Sequence, residues 1–331
     1  MLQYLVILLD DTSVAYCHAE NPLKKRNLIA LETLKRGIVF GMKQNLMIQY
    51  VFPDYELPKE YVDILESIDN VKIFPINQKP ETGFDNESDV EVANSIPANV
   101  KGKNLVLRLK FSEILSKKDE ISKLFGNHFR LNICITDVDK FTDEDIAKYQ
   151  ELLKYWNEIL LNLYKEGRTP QINNITDRMM LDKMHNCDAG VNNITLAPNG
   201  KFYLCPAFYY DEKSKVFNQL NHHKPSSDNS VGDLENGLNI PNPQLLKLDH
   251  APLCRNCDAY QCRRCTWLNR RLTWDINTPS HQQCVMSHIE RNASRDLLNK
   301  IREIGEFMPE INIKEINYLD PFDVRKEFKN K

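Results

Sequence analysis

Short apolar runs alternate with stretches of helical periodicity along the first part of the chain. Residues 4–9 (YLVILL) are continuously apolar, the pattern of a strand buried on both faces. Leu31, Leu34, Ile38 and Met42 then recur at helical spacing and predict a helix. Leu46 to Phe52 reads as a second strand, residues 59–69 (KEYVDILESID) as a helix, and Val71 to Ile76 as a third strand. This β-α-β-α-β order implies parallel strands joined by helical crossovers. From Asn77 to Val100 the chain is polar, with prolines and a glycine, and is expected to be a long surface loop with one short element.

The rhythm resumes with a strand at 104–110, a helix near 117–125 and a strand at 130–136. In the next helix Ile146, Tyr149, Leu153, Trp156, Leu160 and Leu163 share one face. Thr142 and Asp145 supply a capping-box-like start, and Gly167 marks the end. Residues 171–176 (QINNIT) suggest one more strand. Roughly six β/α repeats predict an α/β fold with a partial or complete parallel barrel, an open doubly wound sheet being the alternative. No glycine-rich phosphate loop follows any strand, which argues against a nucleotide-binding unit. Strand carboxyl ends carry Asp10 and Asp11, Asp54 and Glu56, and Asp137 and Asp139. The plainer reading of each pair is a helix cap or a solvated loop.

Composition narrows the picture. The formal net charge of −3 over 331 residues gives no global pull toward nucleic acid or anionic lipid, so neither partner is expected. No apolar run approaches the roughly 20 residues that span a bilayer. The start, MLQYLVILLDD, lacks a basic region and reads as a strand, not a signal peptide. A cytoplasmic location follows as the expectation, and there clustered cysteines favour metal over disulfides.

Seven of the nine cysteines fall between Cys187 and Cys284: these two with Cys205, Cys254, Cys257, Cys262 and Cys265. Four lie in CRNCDAYQCRRC, as two C-x-x-C pairs separated by four residues. Such turns bring sulfurs close enough to grip one metal ion or cluster. Residues 187–205 (CDAGVNNITLAPNGKFYLC) predict a hairpin around Asn199-Gly200 that ends in cysteine at both sides. The same inventory suits two zinc ions or iron–sulfur clusters, since soft thiolate sites accept either. His222 and His223 in the polar stretch 212–230 are further possible ligands, with solvent exposure the plainer reading. Arg255, Arg263, Arg264, Arg270 and Arg271 are placed to offset cluster charge or to meet an acidic partner, solvated side chains being the alternative.

The order of Cys187, Gly200 with Cys205 five positions on, the four clustered cysteines and Cys284 resembles the SPASM domain of radical S-adenosylmethionine peptide maturases. The spacing of the four departs from that family, running x2, x4, x2 in place of x2, x5, x3. The resemblance implies two auxiliary 4Fe–4S clusters. Cys254, Cys257, Cys262 and Cys284 would hold one, and Cys187, Cys205 and Cys265 the other, with His185 nearest to its remaining position. It also implies a radical-enzyme-like barrel over residues 1–182, a SPASM-like domain over 183–295, and a C-terminal helix and tail over 296–331.

The family's C-x3-C-x2-C signature is absent. The loop after the first strand reads DDTSVAYCHAENP, with Cys17 alone, and VFPDYELP stands where a Gly-Gly-Glu-Pro-like turn is usual. S-adenosylmethionine binding is therefore not expected, and Cys17 and Cys134 read as packed thiols. The opening YLVILLDDTSVAYCH, the stretch MIQYVFPDYELP and the cysteine-rich part resemble the CXXX repeat peptide maturase family. That resemblance implies action on a ribosomally made cysteine-repeat precursor peptide alongside a companion modification protein. It leaves open whether this chain is a peptide-modifying enzyme or a catalytically degenerate partner. A zinc-stabilised scaffold or an electron-transfer partner are the other readings.

Overall fold

The computed structural model describes residues 2–77, 87–127, 129–184, 186–214 and 229–305. The strands are β1 (Tyr4–Leu8), β2 (Met47–Val51), β3 (Asn70–Pro75), β4 (Val90–Ala93), β5 (Asn104–Leu109), β6 (Arg130–Ile135), β7 (Gln171–Ile172), β8 (Asn193–Leu196), β9 (Phe202–Tyr203), β10 (Gly232–Asp233) and β11 (Gly237–Leu238). The α-helices are α1 (Leu31–Lys43), α2 (Lys59–Leu65), α3 (Phe111–Ser116), α4 (Lys118–Ser122), α5 (Asp143–Lys165), α6 (Asp177–Met180), α7 (Pro206–Ser214), α8 (Thr266–Thr273) and α9 (His281–Ile304). Among the described residues no helix is long and apolar enough to cross a membrane. The chain divides into two compact units: residues 1–113, 128–136 and 188–246, and residues 114–127, 137–187 and 247–331.

The first unit is built on a sheet whose strands run β6-β5-β4-β3-β2-β1-β8-β9. β1 to β6 are parallel and adjacent in chain order, without the reversal of direction that a doubly wound sheet requires. Such a progression is that of a barrel left open, so the partial barrel is the arrangement formed. β1 is covered on both edges, Leu5 standing opposite Ile48 of β2 and Ile194 of β8. This double pairing explains its unbroken apolar run, with Leu5, Ile7 and Leu8 fully buried. α1 buries Leu34 and Ile38 together with Gly37 and Gly41. A side chain at Gly37 would collide with Leu196, so the glycine lets the helix lie close on the sheet.

Among the described residues of the polar stretch 77–100 the expected short element is β4, which is not on the surface but is a buried parallel strand between β3 and β5. Its Glu91 is buried and accepts a hydrogen bond from the Lys101 N–H at 3.3 Å. Residues 78–86 lie outside the described residues, as do His128, His185, His222, His223 and the tail from 306. The expected strand over 171–176 shortens to β7, because Thr176 turns back to accept from the Ile172 N–H. The predicted hairpin forms: β8 and β9 pair antiparallel, with Leu196 opposite Phe202 and Gly200 at φ 78° closing the loop.

In the second unit α5 opens with the expected capping box. Thr142 Oγ1 accepts from the Asp145 N–H at 3.2 Å, and the Asp145 carboxylate accepts from the Thr142 N–H at 3.0 Å. Its buried face packs on α9, where Tyr149 donates to Glu290 at 2.6 Å and Asn157 Nδ2 to the Ala293 carbonyl at 2.8 Å. Fully buried Trp156 meets Phe125 edge-on at 5.4 Å.

Candidate functional site

Six of the seven candidate cysteines, all but Cys205, belong to the second unit. The segment 251–265 forms a chain of tight turns. The Cys254 N–H bonds to the Ala251 carbonyl at 3.0 Å, Cys257 N–H to Cys254 O at 3.0 Å, and Cys262 N–H to Ala259 O at 2.9 Å. The turn from Cys254 to Cys257 folds the first C-x-x-C pair into a knuckle. Backbone N–H groups two residues on point at two of the sulfurs, Ala259 at Cys257 (3.4 Å) and Arg264 at Cys262 (3.5 Å). Donors placed this way stabilise thiolate over thiol.

Cys254 and Cys257 are buried in an apolar cluster with Met184, Ala251, Ala259 and Tyr260, against which Cys262 packs. Burial pushes the Cys254 thiol up to about 12, and neighbouring Cys262 and Cys257 add to the rise. Burial likewise raises Cys257 to about 11, with Cys262 contributing. Burial raises Cys262 too, against hydrogen bonds from Ser287 and Arg264. Cys254 and Cys257 thus both sense the charge of Cys262, which packs beside them.

The start of α9 adds further donors. Ser280 caps it by accepting from the Gln283 N–H at 3.2 Å, which places Cys284 in the first turn. One turn on, on the same face, His288 brings Nε2 to 3.4 Å from Cys257 Sγ. His288 was not singled out from sequence, although the spacing C-x3-H on a helix was the signal for it. Cys187 is tied to the other pair through its N–H, which bonds to the Arg263 carbonyl at 2.8 Å within the Cys262–Cys265 turn.

Arg264 departs from the picture of a solvated side chain. It sits at φ 42° and is 1% exposed, with its guanidinium on Asn186 (3.3 Å) and Asn277 (2.9 Å). Arg271 lies over the Trp267 ring at 5.2 Å. The donor chemistry of Cys254, Cys257, Cys262 and the Cys284/His288 face suits a soft metal or an iron–sulfur cluster. Among the described residues no group of three or more His, Cys, Asp and Glu side chains is drawn tightly enough to hold a metal ion.

The first unit carries Cys205, half-buried just ahead of α7, and the loop that follows β1. Asp10 proves a buried hub, not a solvated acid. Its carboxylate accepts from the Thr12 N–H (2.7 Å), Thr12 Oγ1 (2.6 Å), the Asn27 N–H (2.8 Å) and Tyr55 (2.8 Å). Asp11 accepts from the hydroxyl of Tyr209. Asp54 and Glu56 are exposed, as the plain reading has it.

Cys17 is raised to about 11 by burial, with Cys134 adding to the effect, and burial raises Cys134 to about 12. Both are neutral, packed thiols, and Cys134 Sγ lies 3.7 Å from His18 Nδ1. The residue that shapes this loop is Arg108 of β5. Buried at 4% exposure, it donates to the carbonyls of Cys17 (2.9 Å) and Ala19 (3.0 Å) and to Asn94 Oδ1 (2.8 Å). A cation inside the apolar run NLVLRL was its sequence signal.

No protein-family model and no curated protein matches this chain. Among solved structures, histidine-tagged anSMEcpe with bound AdoMet is similar at a TM-score of 0.55, with 10% identity over 92% of this chain and 96% of that one. Native anSMEcpe with bound AdoMet and Cp18Cys peptide is similar at 0.51, with 12% identity over 91% and 99%. Native anSMEcpe with AdoMet and Kp18Cys peptide is similar at 0.51, with 11% identity over the same shares. At these identities the likeness is one of fold, and anSME is a radical S-adenosylmethionine/SPASM peptide maturase. The mixed α/β, mostly parallel architecture of this chain therefore resembles the radical S-adenosylmethionine/SPASM enzyme fold.

Proposed function

We propose that this chain is a cytoplasmic peptide-maturation protein that binds a ribosomally made cysteine-repeat precursor and carries at least one auxiliary 4Fe–4S cluster. Cys254, Cys257, Cys262 and Cys284 would hold that cluster. Cys187, Cys205 and Cys265 as ligands of a second are carried over from the family resemblance alone. So is the division into residues 1–182, 183–295 and 296–331. The observation that carries the reading is the gathering of two buried thiols and half-buried Cys262 beside His288, in a chain with this fold. A cluster there stores or passes single electrons.

The chain's own residues would bury the sulfurs and direct N–H groups at them. In the loop after β1, where the resemblance expects three thiolates for a radical-generating cluster, this chain carries Cys17 alone, a neutral thiol whose carbonyl is held by Arg108. The radical step would accordingly belong to a companion protein. A second reading, a zinc-stabilised scaffold, is favoured by the imidazole beside Cys257, since three thiolates and a histidine suit zinc.

Anaerobic purification followed by metal analysis tests both readings. The cluster reading expects about four iron atoms per occupied site. The zinc reading expects a colourless protein with about one zinc per site. Metal should be lost in Cys254→Ser and Cys257→Ser and kept in Cys17→Ser. A chain that binds neither metal, or keeps its metal in both knuckle variants, overturns the centre. Cleavage of S-adenosylmethionine by the purified chain overturns the account of the β1 loop.

A further inference from the structure

We infer that the second unit carries a binding site for a phosphate-type dianion, formed between α6 and α9 beside the candidate metal centre. Arg178 of α6 and Arg291, Ser294, Arg295, Asn299 and Arg302 of α9 line one cavity of about 100 Å³. On α9 these positions recur at helical spacing, so a single face presents three guanidiniums in a column. None of the residues that line the cavity is acidic.

Among the described residues the lining therefore holds four cations and no anion. Behind it, the Asp258 carboxylate accepts from Arg291 at 2.7 Å and Arg295 at 3.1 Å, with Arg178 at 4.0 Å. Arg178 also donates through Nε to the Asp258 carbonyl at 2.6 Å and stacks over the Tyr260 ring at 4.3 Å. Arg302, which lines the same wall, adds a fourth guanidinium to the three gathered around Asp258. The side chains of Arg178 and Arg291 are only 6% and 12% exposed, so water screens them poorly.

A second, independent observation points to the same occupant. Ser294 is 1% exposed, lines the cavity, and its Oγ has no hydrogen-bond partner among the described residues. A buried hydroxyl is ordinarily satisfied, and an oxyanion in the cavity would accept its proton. Guanidinium forks converging from two helices suit a tetrahedral dianion, whose oxygens face several directions. A single carboxylate is a role that Asp258 already fills. The cavity has room for a phosphate group but not for a nucleotide.

The test is calorimetric titration of the full chain at constant ionic strength with inorganic phosphate, O-phosphoserine and acetate. Phosphate or phosphoserine should bind at least about tenfold more tightly than acetate, the scale of an added charge-assisted hydrogen bond. Phosphoserine binding as tightly as phosphate identifies a monoester as the source, and phosphate alone identifies the free ion. Exposed Arg302→Gln and buried Ser294→Ala should each weaken binding on the order of tenfold. Their far-UV circular dichroism and metal content should be unchanged. Acetate binding as well as phosphate, or both variants binding like the parent, overturns the assignment.

Discussion

Arg108→Met is expected to loosen the loop after β1 without dismantling the sheet around it. The substitution keeps most of the side-chain volume and removes the donors to Cys17 O, Ala19 O and Asn94. Hydrogen bonds from a charged donor are worth about 1.5–3 kcal/mol each. The ion pair with Glu20 adds little, because Glu20 is 66% exposed and water screens it. Taking the low end for the two main-chain bonds, since freed carbonyls on a loop regain some water, gives a loss of about 3 kcal/mol.

Tryptophan fluorescence is blind to this change, because Trp156, Trp267 and Trp274 all lie in the second unit. Amide hydrogen exchange read by mass spectrometry is the suitable assay. Protection across residues 10–28 should fall by about a hundredfold, the equivalent of 3 kcal/mol of local opening. Arg108→Lys should recover less than half of that, since one ammonium cannot serve two carbonyls and an amide in fixed directions. Protection in Arg108→Met within threefold of the parent, or full recovery by lysine, would refute the reasoning.

Two further outcomes follow from local geometry. Thr142→Ala should cost about 1 kcal/mol in urea unfolding by removing the α5 cap. The cap is also pH-dependent: hydrogen bonds from Thr142 hold Asp145 below its ordinary 3.8 in the folded protein. On acidification the unfolded chain takes up that proton first, so the contribution is complete above the unfolded value and drains away as pH falls through the folded one. A difference in stability between the parent and Asp145→Ala that stays constant from pH 6 to about pH 2 would contradict this. Cys134, neutral up to about pH 12 and buried, should resist iodoacetamide at pH 8 until urea opens the first unit. Labelling of Cys134 at the rate of exposed Cys187 would refute its packing.

Much of this architecture was legible where the signal is local. The YLVILL run, the helices over 31–42 and 146–163, the Thr142–Asp145 cap and the Asn199-Gly200 hairpin all depend on neighbours a few residues apart and all formed, although Met42, expected on the apolar face of the first helix, is exposed and Gly37 and Gly41 are buried there instead. β4 was legible only as a short element, because its buried Glu91 and polar flanks hide the apolar run that marks an interior strand. The choice between barrel and doubly wound sheet rests on strand order, which a periodic pattern does not encode. Nor did periodicity reveal that α5 packs with α9, an association across more than a hundred residues of chain. At the candidate site the cysteines announced themselves, while His288 and Arg108 act through partners distant in sequence. Arg264 looked like one more surface cation because its amide partners, Asn186 and Asn277, lie on separate segments.

The placement of β8 beside β1 has a consequence for biosynthesis. One edge of β1 is sealed only by a segment translated roughly 190 residues later, a long-range closure of the kind that slows folding. Until then a growing chain exposes that strand's unpaired backbone and its leucines and isoleucine, the sort of edge that invites aggregation. The sheet of the first unit therefore cannot be finished on the ribosome before all of residues 137–187 has emerged. Completion of the first unit thus waits on the synthesis of residues that belong to the second.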